Sequence, residues 1–316
     1  MAILRKLVEP NKGLLQGTTA RVPFDGIMSR VAAPANVAFR QDIVGGVPGW
    51  WCTPGQARPG ELIVHLHGGW FNWGTAQAFR HLVGHIASRA GVEAFIPDYR
   101  LAPEHPFPAA VNDVQACYEG LAGRGFQQIA LVGDSAGGCL ALVLLSLATA
   151  KSSAGGLVPV GAVALSPVTD LAFTGESWNT RAVADPYFTQ SQAAALVKSY
   201  LGDADASNPI VSPLYGSLEG LPPIRVHVGN DELLLDDSRR YVERAISAGV
   251  NAKLDVWESM PHGYLAGIGN LNAAGLTLDA IGAFLNERLT RRVSETKTEA
   301  LTRNRKWPAS IGSSGP

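Results

Sequence analysis

The chain has 316 residues, 46% of them hydrophobic and 17% charged, which suits one large domain with a full core and a decoration rather than two independent domains. Its 26 Lys and Arg nearly balance 27 Asp and Glu, and the net charge of -1 excludes a basic field for nucleic acid or an anionic membrane surface. A neutral small molecule is the partner that fits.

Residues 1–45 precede the first convincing strand and are expected to form an N-terminal cap segment. The opening MAILRKLVEPNKG has its apolar run broken by Arg5, Lys6 and Glu9. No later segment offers ~18 uninterrupted apolar residues, so a soluble, unexported protein without a membrane partner is expected. The three cysteines Cys52, Cys117 and Cys139 are odd in number and far apart, without CxxC spacing. They suggest neither a disulfide framework nor a zinc site, and a reducing cytoplasm fits them best.

From 46 to 290 short apolar runs alternate with helical patterns. ELIVHLH (61–67), VEAFIPD (92–98), IALVGD (129–134), GAVALSP (161–167), IRVHVGN (224–230) and AKLDVWE (252–258) read as buried strands. Between them, 75–90, 108–123, 136–150 and 236–248 carry apolar residues three or four apart, as helices do. This alternation predicts an α/β protein with a mostly parallel sheet covered by helices on both faces, and reactive residues at the carboxyl ends of strands. Residues 170–215 break the rhythm and contain one helical segment, 189–201, so they are expected to cap the sheet's carboxyl edge. From 291 to 316 the chain is polar and turn-rich without periodicity, and is expected to be a disordered or appended tail.

Gly133-Asp134-Ser135-Ala136-Gly137 follows the strand IALV and opens a helix. A nucleophile must stand proud of the sheet on a sharp turn, and small flanking residues permit that turn. The helix N-terminus adds partial positive charge, and the N–H of Ala136 can face an oxyanion. A serine hydroxyl needs a base and an orienting carboxylate, expected in the order Ser, Asp, His. Asp231 follows the strand IRVHV, 96 residues after Ser135, and His262 follows AKLDVW, 31 residues later. Among the neighbouring carboxylates, Glu232 is a competitor, whereas Asp236 and Asp237 stand where acids cap a helix start. Asp231 is the expected acid. His65, His81, His85, His105 and His227 sit in strands, helices or among prolines and read as structural. His67-Gly68-Gly69-Trp70, after the strand LIVHL, offers backbone N–H groups for an oxyanion hole, with His67 bracing the loop.

Taken together, His67-Gly68-Gly69, the segment DYRLAPE from Asp98 to Glu104, GDSAGG from Gly133 to Gly138 and DELLLDD from Asp231 to Asp237 resemble the bacterial hormone-sensitive-lipase family of carboxylesterases. The likeness runs from about 40 to 290. It implies an α/β-hydrolase core, a helical cap drawn partly from the N-terminus, and hydrolysis of short-chain acyl esters. It also implies a Ser135–His262–Asp231 triad, an oxyanion hole from Gly69, Trp70 and Ala136, and a supporting brace from Asp98, Arg100 and Glu104. Homodimers paired through the strand before the histidine, here AKLDVWE, are expected on the same ground. Family members usually carry a third glycine where this chain has Trp70.

The mechanism to expect is two-step acyl transfer through an acyl-enzyme, which requires no metal or organic cofactor. Phe71, Trp73, Trp178, Tyr187 and Phe188, with Asp134 beside the nucleophile, are the candidate pocket residues and suit an uncharged group. A lactonase or amidase would use the same residues. A non-catalytic receptor on this fold would lack the histidine, and a vestigial site would lack a triad member.

Overall fold

The computed structural model describes residues 8–304, with side chains for 8–290. Eight strands form one sheet in the order β1-β2-β4-β3-β5-β6-β7-β8. The six anticipated strands are β3 (Glu61–Leu66), β4 (Glu93–Pro97), β5 (Gln128–Asp134), β6 (Ala162–Leu165), β7 (Ile224–Gly229) and β8 (Ala252–Trp257), all mutually parallel.

Two strands were not anticipated. β1 (Val37–Val44) and β2 (Val47–Pro54) form an antiparallel hairpin across Gly45-Gly46, and β2 joins the sheet antiparallel to β4. Both glycines of that two-residue turn have positive φ, as its backbone twist requires. The N-terminal segment therefore ends before residue 37 rather than at 45, and the rest of it is sheet.

Alternation along the strands divides the core between two faces. Ile129 and Leu131 of β5 face one way, among residues of the helices α3 (Ala109–Gly123), α4 (Ala136–Ala150) and α7 (Leu235–Ser247). Ala130 and Val132 face the other way, towards α2 (Ala76–Ala90) and α8 (Asn272–Asn304). Helix α8 continues past residue 290, so the boundary drawn there for a disordered tail falls inside a helix. Residues 305–316 lie outside the described residues.

The connection from β6 to β7 carries α5 (Ser177–Thr180) and α6 (Gln190–Leu201), the latter started by the Thr189 hydroxyl, which accepts from Gln192 N. Residues 8–31, with α1 (Arg21–Met28), lie against this connection and the loop after β3. Gly13 N donates to Tyr187 O at 3.0 Å, Gln192 Nε2 to Leu15 O at 2.6 Å and Trp73 Nε1 to Gly17 O at 2.8 Å. Arg21 binds the Glu104 carboxylate and the carbonyl oxygens of Asn72 and Ala102. Among the described residues no helix is long and apolar enough to cross a membrane.

Candidate active site

Strand β5 delivers Ser135 onto a sharp turn before α4. Ser135 has φ 55° and ψ -119°, a conformation that L-residues rarely adopt and that stores strain at this point. The turn is possible because its neighbours are small: a Cβ on Gly137 would stand 1.9 Å from Leu66 O. Ser135 N donates to Leu165 O at 2.7 Å, which ties the turn to the carboxyl end of β6.

The next residue after Leu165 links the turn to the acid. Ser166 Oγ donates to Glu232 Oε1 at 2.8 Å, Gly229 N donates to the same oxygen, and Glu232 Oε2 meets His262 Nδ1 at 2.7 Å. The carboxylate on the histidine is thus Glu232, which corrects the expectation of Asp231. The physical reason lies in the turn after β7. Asp231 N donates to Met260 O and its side chain is half-buried, while the next residue turns inward and is 0% exposed. Asp236 and Asp237, expected as helix-start acids, do lie in the first turn of α7, but they bind another segment. Asp236 accepts from Ser177 N, and Asp237 Oδ1 accepts from Thr169 N and Asp170 N.

Burial alone would depress the His262 pKa, yet the Glu232 hydrogen bond and charge, with Asp185 and Asp134 behind them, raise it above the ordinary value. His262 Nδ1 faces the carboxylate, which leaves Nε2 as the nitrogen available for proton transfer.

The loop after β3 approaches the nucleophile from the other side. A Cβ on Gly68 would come within 3.2 Å of Ser135 Cβ, so that backbone runs directly beside the turn. Gly69, Trp70 and Phe71 all have positive φ, 121°, 54° and 60°. Asn72, unremarked in the sequence, fixes this geometry: its Nδ2 donates to Trp70 O and Leu196 O, and its Oδ1 accepts from Ser199 Oγ. His67 braces the loop as expected, with Nδ1 on Gly68 O at 2.9 Å and its ring stacked on Tyr99 at 4.3 Å. Its burial pushes the imidazole pKa down. Asp134 Oδ1 accepts from His65 Nε2 at 3.1 Å.

The DYRLAPE segment braces the surroundings. Asp98 Oδ1 accepts from Ala76 N at the start of α2, Arg100 grips Asp113 with two nitrogens, and Glu104 holds Arg21.

The aromatic residues separate into two groups. Trp70 packs on Trp178 at 6.3 Å and edge-on with Phe188 at 5.6 Å, and Phe188 meets the His262 ring at 5.2 Å. Tyr187 adjoins Phe188 at 6.3 Å. Phe71 instead stacks on Tyr200 at 3.8 Å, and Trp73 faces Phe24 of α1 at 5.7 Å. Trp73 therefore anchors the N-terminal segment and does not line a wall beside His262, a role that its place in the motif loop does not reveal.

Residues 63–266 match the family model described as alpha/beta hydrolase fold. An acetyl-hydrolase of Streptomyces hygroscopicus is 37% identical over 217 residues, 67% of this chain and 72% of that protein. An esterase of Acinetobacter venetianus is 38% identical over 208 residues, 65% and 68% of the two chains. A crystal structure of an esterase from the bacterial hormone-sensitive lipase family superposes with a TM-score of 0.82 at 37% identity, covering 87% of this chain and 92% of that one. EstE5, in a crystal soaked by ethyl alcohol, gives 0.84 at 34% identity over 91% and 98%. With its eight-stranded sheet, its serine turn and these relatives, the chain belongs to the bacterial hormone-sensitive-lipase family of α/β-hydrolases and is a serine carboxylesterase.

Proposed function

We propose that Ser135, His262 and Glu232 form the catalytic triad and that Gly69, Trp70 and Ala136 supply the oxyanion-hole N–H groups. The observation that carries this reading is the linked path from the strained serine through Leu165 and Ser166 to the Glu232–His262 hydrogen bond of 2.7 Å. His262 takes the Ser135 proton as the hydroxyl attacks the ester carbonyl, and Glu232 holds the imidazole tautomer and stabilises the imidazolium. The departing alcohol receives that proton. Water then attacks the acyl-enzyme by the same route.

Residues 8–31 and the β6–β7 connection act as a cap over this site. The Trp70, Trp178 and Phe188 cluster is the wall that limits the substrate, and it supports a preference for short acyl chains on uncharged esters. A series of p-nitrophenyl esters from acetate to palmitate tests this: the maximum falls at short chains, and a maximum at palmitate with interfacial activation contradicts it.

The working unit is a homodimer paired through β8, whose side chains are mostly half-exposed at the end of the sheet. Light scattering that gives a monomer at micromolar concentration contradicts this. A cytoplasmic location is supported by three buried free cysteines, a state that reducing compartments preserve. Fractionation of the native host tests it.

A further inference from the structure

Asp185, in the β6–β7 connection, is 1% exposed, and its carboxylate spans two segments. Oδ1 accepts from Tyr187 N at 2.8 Å and Phe188 N at 3.0 Å, while Oδ2 accepts from Leu233 N at 3.0 Å. Leu233 directly follows Glu232, and Phe188 rests on His262. The backbone of Asp185 is tied in as well: its N–H donates to Arg181 O and its carbonyl receives Lys12 Nζ from the N-terminal segment.

We infer that Asp185 is a positioning residue for the reaction, holding Phe188 against His262 with one oxygen and the Glu232 turn with the other. The inference rests on the triad reading given above. A buried carboxylate accepting three backbone N–H groups is a strong, charge-assisted clamp, and loss of it leaves donors buried and unpaired. Both halves of the clamp end within one residue of the groups that set the base. The insertion and the acid turn therefore move as one unit, and a cap that shifts carries the Glu232–His262 geometry with it.

The charge matters as well as the hydrogen bonds. The charged groups facing His262 are Glu232 from the β7 turn, Asp134 from the nucleophile turn and Asp185 from the insertion. The Arg181 guanidinium stands 3.5 Å from Asn230 Oδ1. Removing the Asp185 charge withdraws support for the imidazolium. An amide at this position also turns an N–H2 group towards one of the N–H donors that the carboxylate now satisfies.

The test is Asp185→Asn and Asp185→Glu, assayed on p-nitrophenyl acetate across pH beside Glu232→Gln, with thermal melting of each. Asp185→Asn is expected to lower kcat by on the order of 10²-fold, as misplacement of catalytic groups does, with little change in KM. The acidic limb of its kcat/KM profile moves to lower pH, and Asp185→Glu restores the limb. A lower melting temperature with unchanged kcat and an unmoved limb overturns the proposal. Should Asp185→Asn fail to fold, Phe188→Leu keeps the charge and alters the positioned arm. It must lower kcat and leave the limb in place, and unchanged kcat there also overturns the proposal. If Glu232→Gln remains fully active, it is the triad reading that has failed; if Glu232→Gln collapses while Asp185→Asn matches the wild type, only the role of Asp185 is wrong.

Discussion

Glu232 Oε2 stands 2.7 Å from His262 Nδ1, while its other oxygen is held by Ser166 Oγ and Gly229 N. Both oxygens are engaged, so the carboxylate cannot rotate away from the imidazole. Glu232→Gln is therefore expected to reduce kcat on the order of 10⁴-fold, because the amide stabilises the wrong tautomer and no longer balances the imidazolium. Asp231→Asn is expected to cost far less. Steady-state kinetics of both variants on phenyl acetate checks this, and the reverse ranking returns the acid to Asp231.

The raised pKa of His262 gives the activity its pH dependence. The base works only as the neutral imidazole, so kcat/KM falls as pH drops through its pKa, and the raised value places this fall at higher pH than for an isolated histidine. Glu232→Gln removes the charge that holds the proton and leaves the burial that expels it. The residual activity of that variant is expected to show an acidic limb at lower pH. A limb that does not move contradicts the assignment of His262 and Glu232 as partners.

Backbone strain at Ser135 predicts a stability difference between two inactive variants. Ser135→Ala keeps a Cβ at φ 55° and should fold with a melting temperature near that of the wild type. Ser135→Gly removes the strain, a gain of ~1–3 kcal/mol set against the larger unfolded-state entropy of glycine. It should melt no lower than Ser135→Ala. A markedly lower value means the turn stores no strain.

Burial pushes the Asp237 carboxyl up to about 8 from 3.8, and its Oδ2 has no hydrogen-bond partner among the described residues. The sign follows from linkage: the folded state favours the protonated acid, so stability is fullest below the unfolded pKa and declines as pH rises through about 8. Asp237→Asn keeps the acceptor for Thr169 and Asp170 and removes the titration. Thermal melts from pH 4 to pH 8 should show a flatter profile for the variant than for the wild type. Parallel profiles contradict this.

Trp70 distinguishes this chain from the three-glycine loops its family usually carries. Its indole is 1% exposed and packs on Trp178 and Phe188, on the side where Phe188 meets His262. The ring therefore fills space beside the base, and esters of bulky tertiary alcohols should be poor substrates. Trp70→Gly suits the backbone φ of 54° and opens the wall, at a packing cost on the order of 3–5 kcal/mol. The ratio of kcat/KM for tert-butyl acetate to that for phenyl acetate should rise at least about tenfold, the equivalent of ~1.4 kcal/mol. An unchanged ratio means that the indole limits only the cap.

What could be read from the sequence follows a physical divide. The central strands and helices announce themselves because burial on both faces demands continuous apolar runs and helical periodicity, as in IALVGD and AGGCLALVLLSLATA. The β1–β2 hairpin did not, because β1 is largely exposed and carries Arg40, Gln41 and Asp42, while the buried run of β2 is broken by two prolines, Pro48 and Pro54. At the site, Ser135 and the loop from His67 lie in local motifs whose geometry is written in their glycines. The choice between Asp231 and Glu232 is not local: it depends on which way one turn rotates against Met260 and on the Ser166 hydroxyl, 66 residues away. Asn72 and Asp185 were silent for the same reason, since the partners that tie them across the fold, Leu196 and Ser199 for the one and Leu233 for the other, come from distant segments. The run Leu233-Leu234-Leu235 was the available signal, for it shows the turn heading into the core directly after Glu232.

In the proposed mechanism Ser135 is acylated, and His262, held by Glu232, drives both acylation and deacylation. Rapid mixing with p-nitrophenyl acetate, followed by acid quench and mass analysis of the peptide carrying Ser135, reads out the acyl-enzyme itself. A p-nitrophenol burst equal to the enzyme concentration is expected, with an acetyl group on Ser135, and neither in Ser135→Ala. Burst and turnover retained by Ser135→Ala, or acetyl found on another residue, would contradict the account.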